Sequence, residues 1–208
     1  MNVLVTGAHG RTARIVVQQL IDGGHTVIGI VRKEQHDREL QAMGVTVFVV
    51  DISDGDLSAA LRGVDAVVFA AAGREGEYDQ VDHRGVAHVV RAAESADARR
   101  FVLLSANGAH DPESWGPGYA PYLRAKRAGE DALTASSVAW TIVRPAALTG
   151  GSATGRVTLL TTPGGSGSIA RADVARTVTA VLAHDNTIGK TLELWSGTVP
   201  IDDAIAAV

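Results

Sequence analysis

Hydrophobic positions along the chain fall into short, nearly continuous runs that alternate with stretches of helical periodicity. Runs with little polar alternation, rich in β-branched residues, are typical of strands that are buried on both faces of a sheet. We therefore predict strands at 2–6, 26–31, 45–50, 64–70, 100–105 and 140–144.

The stretches between these strands place apolar residues on one helical face. In the first of them, Ile15, Val16 and Leu20 recur at the spacing of an amphipathic helix. Helices are predicted at 11–22, 33–42, 54–62, 78–97 and 122–135. Because strand and helix alternate so regularly, we expect parallel strands joined by right-handed crossovers, hence an α/β doubly wound (Rossmann) sheet with helices on both faces. A flavodoxin-like domain without a nucleotide site is the alternative from this pattern alone.

The pattern weakens after residue 145. A helix is predicted at 171–184, a strand at 190–195 and a short helix at the end of the sequence. The glycine-rich stretch 161–168 resembles a linker, but the 40 residues after it are too few for an independent domain. We therefore predict a mobile loop there and one domain over 1–208, with 146–208 contributing a minor substrate lobe.

Composition narrows the function classes. The chain has no cysteine, a formal net charge of −4 and three each of Trp, Tyr and Phe. The absence of cysteine excludes thiol chemistry and zinc fingers. Nucleic-acid binding is not expected, because the chain has no net positive charge and few aromatic side chains on which bases could stack. The seven histidines show no metal-ligand spacing, so no metal site is expected. Without a signal segment or an apolar span, we expect a cytoplasmic protein that is not bound to membranes, either monomeric or dimeric.

The first predicted strand runs into the sequence TGAHGRTA, and a helix follows. Gly7 permits a tight turn, Gly10 allows close backbone approach to a pyrophosphate, and Ala13 lets the helix pack on the strand. The helix N-terminus would then face the phosphates. A glycine-rich turn without a ligand is the alternative.

Residues at the ends of the next strands indicate which dinucleotide binds. An NAD site usually has an acidic residue after the second strand, but here Arg32 and Lys33 stand there, which predicts NADP(H) over NAD(H). A solvated basic pair is the alternative. Asp51 follows the third strand, and two roles are open for it: its carboxylate accepts a hydrogen bond from the adenine amino group, or it caps the helix that follows. The small residues 70–73 follow the fourth strand and leave room for a ribose.

A candidate proton donor follows the fifth strand. Tyr122 and Lys126 lie one turn apart on a predicted helix, so the ammonium can stabilise a phenolate. Ser105, at the strand end, would donate to a substrate carbonyl or to the phenolic oxygen. This trio supplies the chemistry of carbonyl reduction by hydride transfer. A surface tyrosine beside a solvated lysine is the alternative.

Together with Asp51 and the Ala-Ala-Ala-Gly stretch, the motifs TGAHGRTA, LLSANG, YLRAK, TIVRPAAL and IARADVA resemble an atypical short-chain dehydrogenase/reductase. The resemblance spans nearly the whole chain and is to the compact group that includes biliverdin-IXβ and flavin reductases and bacterial proteins named as epimerases. It implies Ser105, Tyr122 and Lys126 as the catalytic residues. Combined with the motifs, it gives the following cofactor set: Gly7, His9, Gly10, Arg11, Thr12, Arg32, Lys33, Asp51, Ile52, Ala70, Ala71, Ala72, Gly73, Lys126, Pro145, Ala146 and Ala147. Asp82 departs from the family pattern, since larger members often carry Asn there.

The sequence therefore predicts an NADP(H)-dependent reductase of a small carbonyl, quinone or flavin-like acceptor. A non-catalytic NADP(H) sensor is the alternative, and a sugar-nucleotide epimerase fits less well because little chain remains for a large substrate lobe. The loops 107–121 and 149–168 are candidates for substrate contacts or lids.

Overall fold

The computed structural model describes residues 1–208 and contains eleven strands. Their bounds are β1 (Asn2–Thr6), β2 (Thr26–Val31), β3 (Thr46–Val49), β4 (Ala66–Phe69), β5 (Arg100–Leu104), β6 (Ala139–Pro145), β7 (Ala147–Thr149), β8 (Arg156–Leu160), β9 (Ser168–Ala170), β10 (Lys190–Ser196) and β11 (Val199–Pro200). The α-helices are α1 (Arg11–Asp22), α2 (Asp37–Ala42), α3 (Ser58–Leu61), α4 (Val86–Ser95), α5 (Ala120–Thr134), α6 (Arg171–Val181) and α7 (Ile201–Ala206). A π-helical segment, Asp79–Gly85, leads into α4, and 3-10 turns lie at Glu34–His36, Pro112–Trp115 and Asp185–Thr187.

Nine strands form one sheet in the order β11-β8-β10-β6-β5-β4-β1-β2-β3. From β3 to β10 every pairing is parallel, whereas β8 runs antiparallel to β10 and to β11. The order of the first six strands confirms the doubly wound fold. Because the chain moves outward from β1 to β3 and then returns to the other side of β1 for β4, the switch point lies between β1 and β4.

Side-chain alternation along the central strands feeds two apolar cores. In β1, Val3 and Val5 join the core under α1 and α6, while Leu4 faces the core under α4 and α5. All three are completely buried, and burial of each such side chain contributes about 1.5–3 kcal/mol. The sheet is therefore fixed from both faces, and its carboxyl edge is held rigidly.

Three predicted elements needed correction. The helix predicted over 54–62 is reduced to α3, because the preceding residues form turns held by Asp51 and Asp56. The helix predicted over 78–97 begins as the π-helical segment. The predicted loop 149–168 contains β8 and the start of β9, and Gly165 packs so closely on Trp195 that an added Cβ would lie 2.3 Å from the ring.

The carboxyl-terminal segment extends the main sheet through β8, β10 and β11. The short strands β7 and β9 form a separate parallel pair beside it. None of the helices combines the length and apolar character that crossing a bilayer requires.

Candidate functional site

A crevice of about 420 Å³ lies at the carboxyl ends of the strands around the switch point. Most of the residues predicted to hold a cofactor line it. They are Gly7, His9, Gly10, Arg11, Thr12, Arg32, Asp51, Ile52, Ala70, Ala71, Ala72, Lys126 and Pro145. Of the others, Lys33 and Gly73 do not line it, and Ala146 and Ala147 line an adjoining cavity.

The floor of the crevice is built from backbone and very small side chains. Gly7 has φ +61°, and an added Cβ would lie 2.8 Å from the Cα of Ala71. Thr6 Oγ1 accepts hydrogen bonds from the N–H groups of Ala70 and Ala71 at 3.2 and 3.3 Å, which ties the turn after β4 to β1. No side chain caps α1, so its first N–H groups are left for an anion. These features fit a dinucleotide pyrophosphate.

Two arginines face the same space from different helices. Arg11 begins α1, Arg171 begins α6, and both line the crevice. Burial and then the nearby charge of Arg11 lower the pKa of Arg171. A bound anion between the two guanidinium groups would relieve this repulsion, as a pyrophosphate does.

The end of the crevice beyond β2 mixes cations and carboxylates. Arg32 donates to Glu77 at 3.0 Å, and this hydrogen bond lowers the pKa of Glu77. Asp51 accepts the backbone N–H and the hydroxyl of Ser53 at 2.9 and 2.7 Å, which lowers its pKa. Asp51 thus holds a turn and faces the crevice. The N-cap alternative is wrong, because α3 begins seven residues later at Ser58.

A pair of stacked imidazoles forms another part of this end. The rings of His9 and His36 are parallel, with centroids 3.8 Å apart, and His9 Nε2 lies 3.1 Å from Glu39. Burial and then the neighbouring His9 and Lys33 lower the pKa of His36. Both histidines line the crevice.

The opposite end carries the predicted proton donor. Lys126 Nζ lies 5.8 Å from the centre of the Tyr122 ring, 2.9 Å from Asp82 Oδ1 and 3.0 Å from the carbonyl oxygen of Leu104. Burial raises the pKa of Tyr122; Lys126 opposes this, and Asp82 and Tyr78 reinforce it. Lys126 therefore favours the phenolate, but burial outweighs it and the pKa of Tyr122 stays above its ordinary value. The catalytic role of this pair stays a prediction.

Ser105 has a different partner from the predicted one. Its hydroxyl donates to Glu130 Oε1 at 2.5 Å and not to the phenolic oxygen of Tyr122, whereas donation to a substrate carbonyl stays a prediction. The reason is a buried charge network, since Arg144 binds Glu130 at 2.8 and 2.5 Å and Glu193 at 3.0 Å. Asn107 donates to Glu193 at 2.7 Å and completes the network. Ser105 is buried beside this carboxylate, and its hydroxyl donates to Glu130 because a buried hydroxyl without an acceptor would be costly.

A second cavity of about 620 Å³ adjoins the crevice. Ser105, Tyr122, Pro145, Leu148 and Arg171 line both spaces. From the loop 107–121 the second cavity takes Asn107, Trp115 and Tyr119, and from 149–168 it takes Ser166 and Gly167. Both loops therefore border the space next to the predicted proton donor.

Sequence reasoning missed Glu77, Glu130 and Arg171. Glu130 lies eight residues after Tyr122, so the repeat of Tyr122, Lys126 and Glu130 on one helical face was a readable signal. Arg171 begins a predicted helix, but the position of that helix beside the crevice depends on the sheet order. No local pattern indicates Glu77.

A glycine turn at the switch point and an uncapped helix that follows it are features of an NAD(P)-dependent oxidoreductase. Residues 7–185 match the model of a family described as NAD(P)H-binding, and the chain belongs to this family.

The chain is similar over its whole length to several named proteins. It is 34% identical to the uncharacterised sugar epimerase YhfK of Bacillus subtilis, with 99% of both chains covered. It is 27% identical to sanguinarine reductase of Eschscholzia californica, covering 98% of this chain and 92% of the relative. The structure of a Bacillus halodurans protein provisionally described as an NAD-dependent epimerase/dehydratase superposes with TM-score 0.93 at 35% identity, covering 100% of both chains.

Proposed function

We propose that the protein is an NADP(H)-dependent reductase of a small carbonyl, quinone or flavin-like acceptor. The observation that carries the proposal is the meeting of the two cavities at Ser105, Tyr122 and Pro145. A dinucleotide extended along the crevice would bring its nicotinamide to this junction, and an acceptor would enter from the second cavity. The relative named as a reductase supports the direction of the chemistry.

The bound nicotinamide cofactor supplies the hydride. Around it, Gly7 and the start of α1 bind the pyrophosphate, Arg11 and Arg171 compensate its charge, and Pro145 forms the wall on the acceptor side. Tyr122 holds the proton for the reduced acceptor, because burial keeps its phenol protonated. Ser105, whose hydroxyl donates to Glu130, keeps oxygen lone pairs that can accept a hydrogen bond from the Tyr122 phenol and orient it.

The walls of the second cavity support an acceptor with a flat apolar body. Tyr119 and Tyr122 lie with ring centres 5.2 Å apart, and Trp115 continues the row at 5.9 Å from Tyr119. Trp115 and Tyr119 remain 43% and 45% exposed, although aromatic side chains gain from burial. A planar acceptor would cover them.

Turnover with a panel of acceptors tests the proposal. NADPH oxidation is followed with aldehydes, ketones, quinones and FMN, and at least one class is expected to be reduced. Silence across the panel while NADPH still binds would contradict the reductase and favour a cofactor-binding regulator.

Cofactor choice is tested separately at Arg32. Arg32 lines the crevice beyond β2, where a 2′-phosphate would lie, and its partner Glu77 is itself only partly buried. The Arg32→Ala variant should lose affinity for NADPH by about tenfold and keep its affinity for NADH, because a charged hydrogen bond contributes about 1.5–3 kcal/mol when fully formed. Lys33→Ala is the matched control, since this neighbouring cation does not line the crevice. Equal NADPH affinity in wild type and Arg32→Ala would remove Arg32 from the site.

A further inference from the structure

Asp82 is the only carboxylate of the π-helical segment Asp79–Gly85 that is withdrawn from solvent. It is completely buried, whereas Asp79 on the same segment is largely exposed and pairs with His83 and Arg84. One Asp82 oxygen accepts the backbone N–H of Gly73 at 2.9 Å, and the other lies 2.9 Å from Lys126 Nζ. A single side chain thus contacts the turn after β4 and the helix α5.

Glycines on both sides make this arrangement possible. An added Cβ on Gly129 of α5 would lie 2.2 Å from the backbone oxygen of Asp82, so α5 approaches the segment closely only because that residue is glycine. An added Cβ on Gly73 would lie 3.0 Å from Asp82 Oδ2 and 2.7 Å from the backbone oxygen of Glu77. Residues from two parts of the chain are therefore glycine where they approach Asp82. π-helical insertions of this kind often occur at functional positions.

We propose that Asp82 is a positioning residue that joins the two halves of the site. One of its oxygens holds the Lys126 ammonium beside Tyr122. The other holds the backbone of Gly73, which directly follows the crevice-lining residues 70–72. The proposal rests on the proposed function of the crevice and of Tyr122. Asp82 thereby has a role at the position where larger family members often carry Asn.

The charge balance around Lys126 explains why a carboxylate is needed. Lys126 is only 4% exposed, and the ionisable groups that surround it are Tyr122 and Glu130 on α5 and Asp82 on the π-helical segment. Burial would lower the pKa of Lys126, but Tyr122 and Asp82 reverse this, so its pKa lies above the ordinary value. Without Asp82 the buried ammonium loses its ion-pair partner, and the pKa of Lys126 should fall.

The direct test is the titration of Lys126 in the Asp82→Asn variant. The chain has only three lysines, so side-chain NMR with labelled lysine resolves Lys126, and exposed Lys33 serves as an internal reference. We expect the pKa of Lys126 to fall by at least about one unit in Asp82→Asn. The control Asp79→Asn, on the same segment but exposed, should leave it unchanged. An unchanged Lys126 pKa in Asp82→Asn, or an equal fall in Asp79→Asn, would overturn the proposal.

The cofactor half is tested by NADPH affinity in the same variants. Asp82→Asn should bind NADPH several-fold more weakly, because an amide holds Gly73 less strongly than a carboxylate does. Its turnover should also decrease toward high pH as Lys126 loses its proton, a change absent from Asp79→Asn. Wild-type affinity and a wild-type pH profile in Asp82→Asn would contradict the coupling.

A folding control keeps the test decisive. If Asp82→Asn does not fold, the double variant Asp82→Asn/Lys126→Met removes the unpaired cation as well and is expected to fold. Continued failure of the double variant would mean that Asp82 acts through something other than Lys126, and the proposal would be wrong. The outcome is separable from the proposed function, since a titration shift of Lys126 in a protein that reduces no acceptor would uphold the coupling alone.

Discussion

The two ends of the site are built in opposite ways. The proposed pyrophosphate end consists of glycines, free N–H groups of α1 and two arginines that repel each other, so an incoming anion would balance its charge. The proposed proton-donor end consists of buried charges that are already paired within the protein, Lys126 with Asp82 and Arg144 with Glu130 and Glu193. The first end is therefore suited to binding an anion, and the second to keeping its own side chains in fixed positions.

The largest effect should come from breaking the compensated end. In Arg144→Met the carboxylates of Glu130 and Glu193 lose their shared cation, and the free energy of unfolding should fall by about 3–5 kcal/mol. Denaturant unfolding measures this. Arg127, which forms an exposed ion pair with Asp131, provides the control. Arg127→Met should change the free energy of unfolding by less than about 1 kcal/mol. Similar losses in both variants would mean that the network is not compensated as described.

A smaller effect is expected at the floor of the binding end. Gly7→Ala places a side chain at φ +61° and against Ala71, which costs about 1–3 kcal/mol and displaces the turn that faces the cofactor. NADPH affinity measured by titration should therefore be lost. Gly63→Ala has a similar φ of +71° with no atom within 4 Å, and should keep wild-type affinity. If Gly63→Ala also lost NADPH binding, the effect of Gly7→Ala would come from backbone strain alone and not from contact with Ala71.

Removing one cation from the binding end should have a moderate effect. Arg171→Gln should weaken NADPH binding by about tenfold and reduce the salt dependence of binding, because it deletes one charged contact with a phosphate. Arg176 lies on the same helix, paired with Asp202 at 3.3 Å, and Arg176→Gln should bind NADPH normally. If Arg171→Gln bound NADPH as tightly as wild type, α6 would not contribute to the cofactor site.

The smallest effect concerns pH. A proton donor is active in its protonated form, and burial raises the pKa of Tyr122 above its ordinary value of 10. Titration of Tyr122 should therefore leave turnover independent of pH through the neutral range and decrease it only above about pH 10. A fall in turnover near neutral pH that disappears in Tyr122→Phe would contradict the raised pKa.

The binding end was largely predictable from sequence, whereas the proton-donor end was not. Gly7, Gly10 and Arg32 stand at fixed offsets from strands whose apolar runs are visible in the chain, so local reasoning places them. Glu193, by contrast, meets Arg144 only because β10 pairs with β6, a contact between residues far apart in sequence. The hydrogen-bond partner of Ser105 could not be predicted from sequence for the same reason, because tertiary packing brings the Glu130 carboxylate to its hydroxyl.

If cofactor binding and proton donation reside in separately built halves of one site, Tyr122→Phe should abolish the second and preserve the first. The NADPH dissociation constant and the turnover of an accepted substrate should be measured on the same preparation. We expect an unchanged dissociation constant and a turnover reduced by about 10²–10⁴-fold, the usual contribution of a general acid. Full turnover in Tyr122→Phe, or a parallel loss of NADPH binding, would contradict the account.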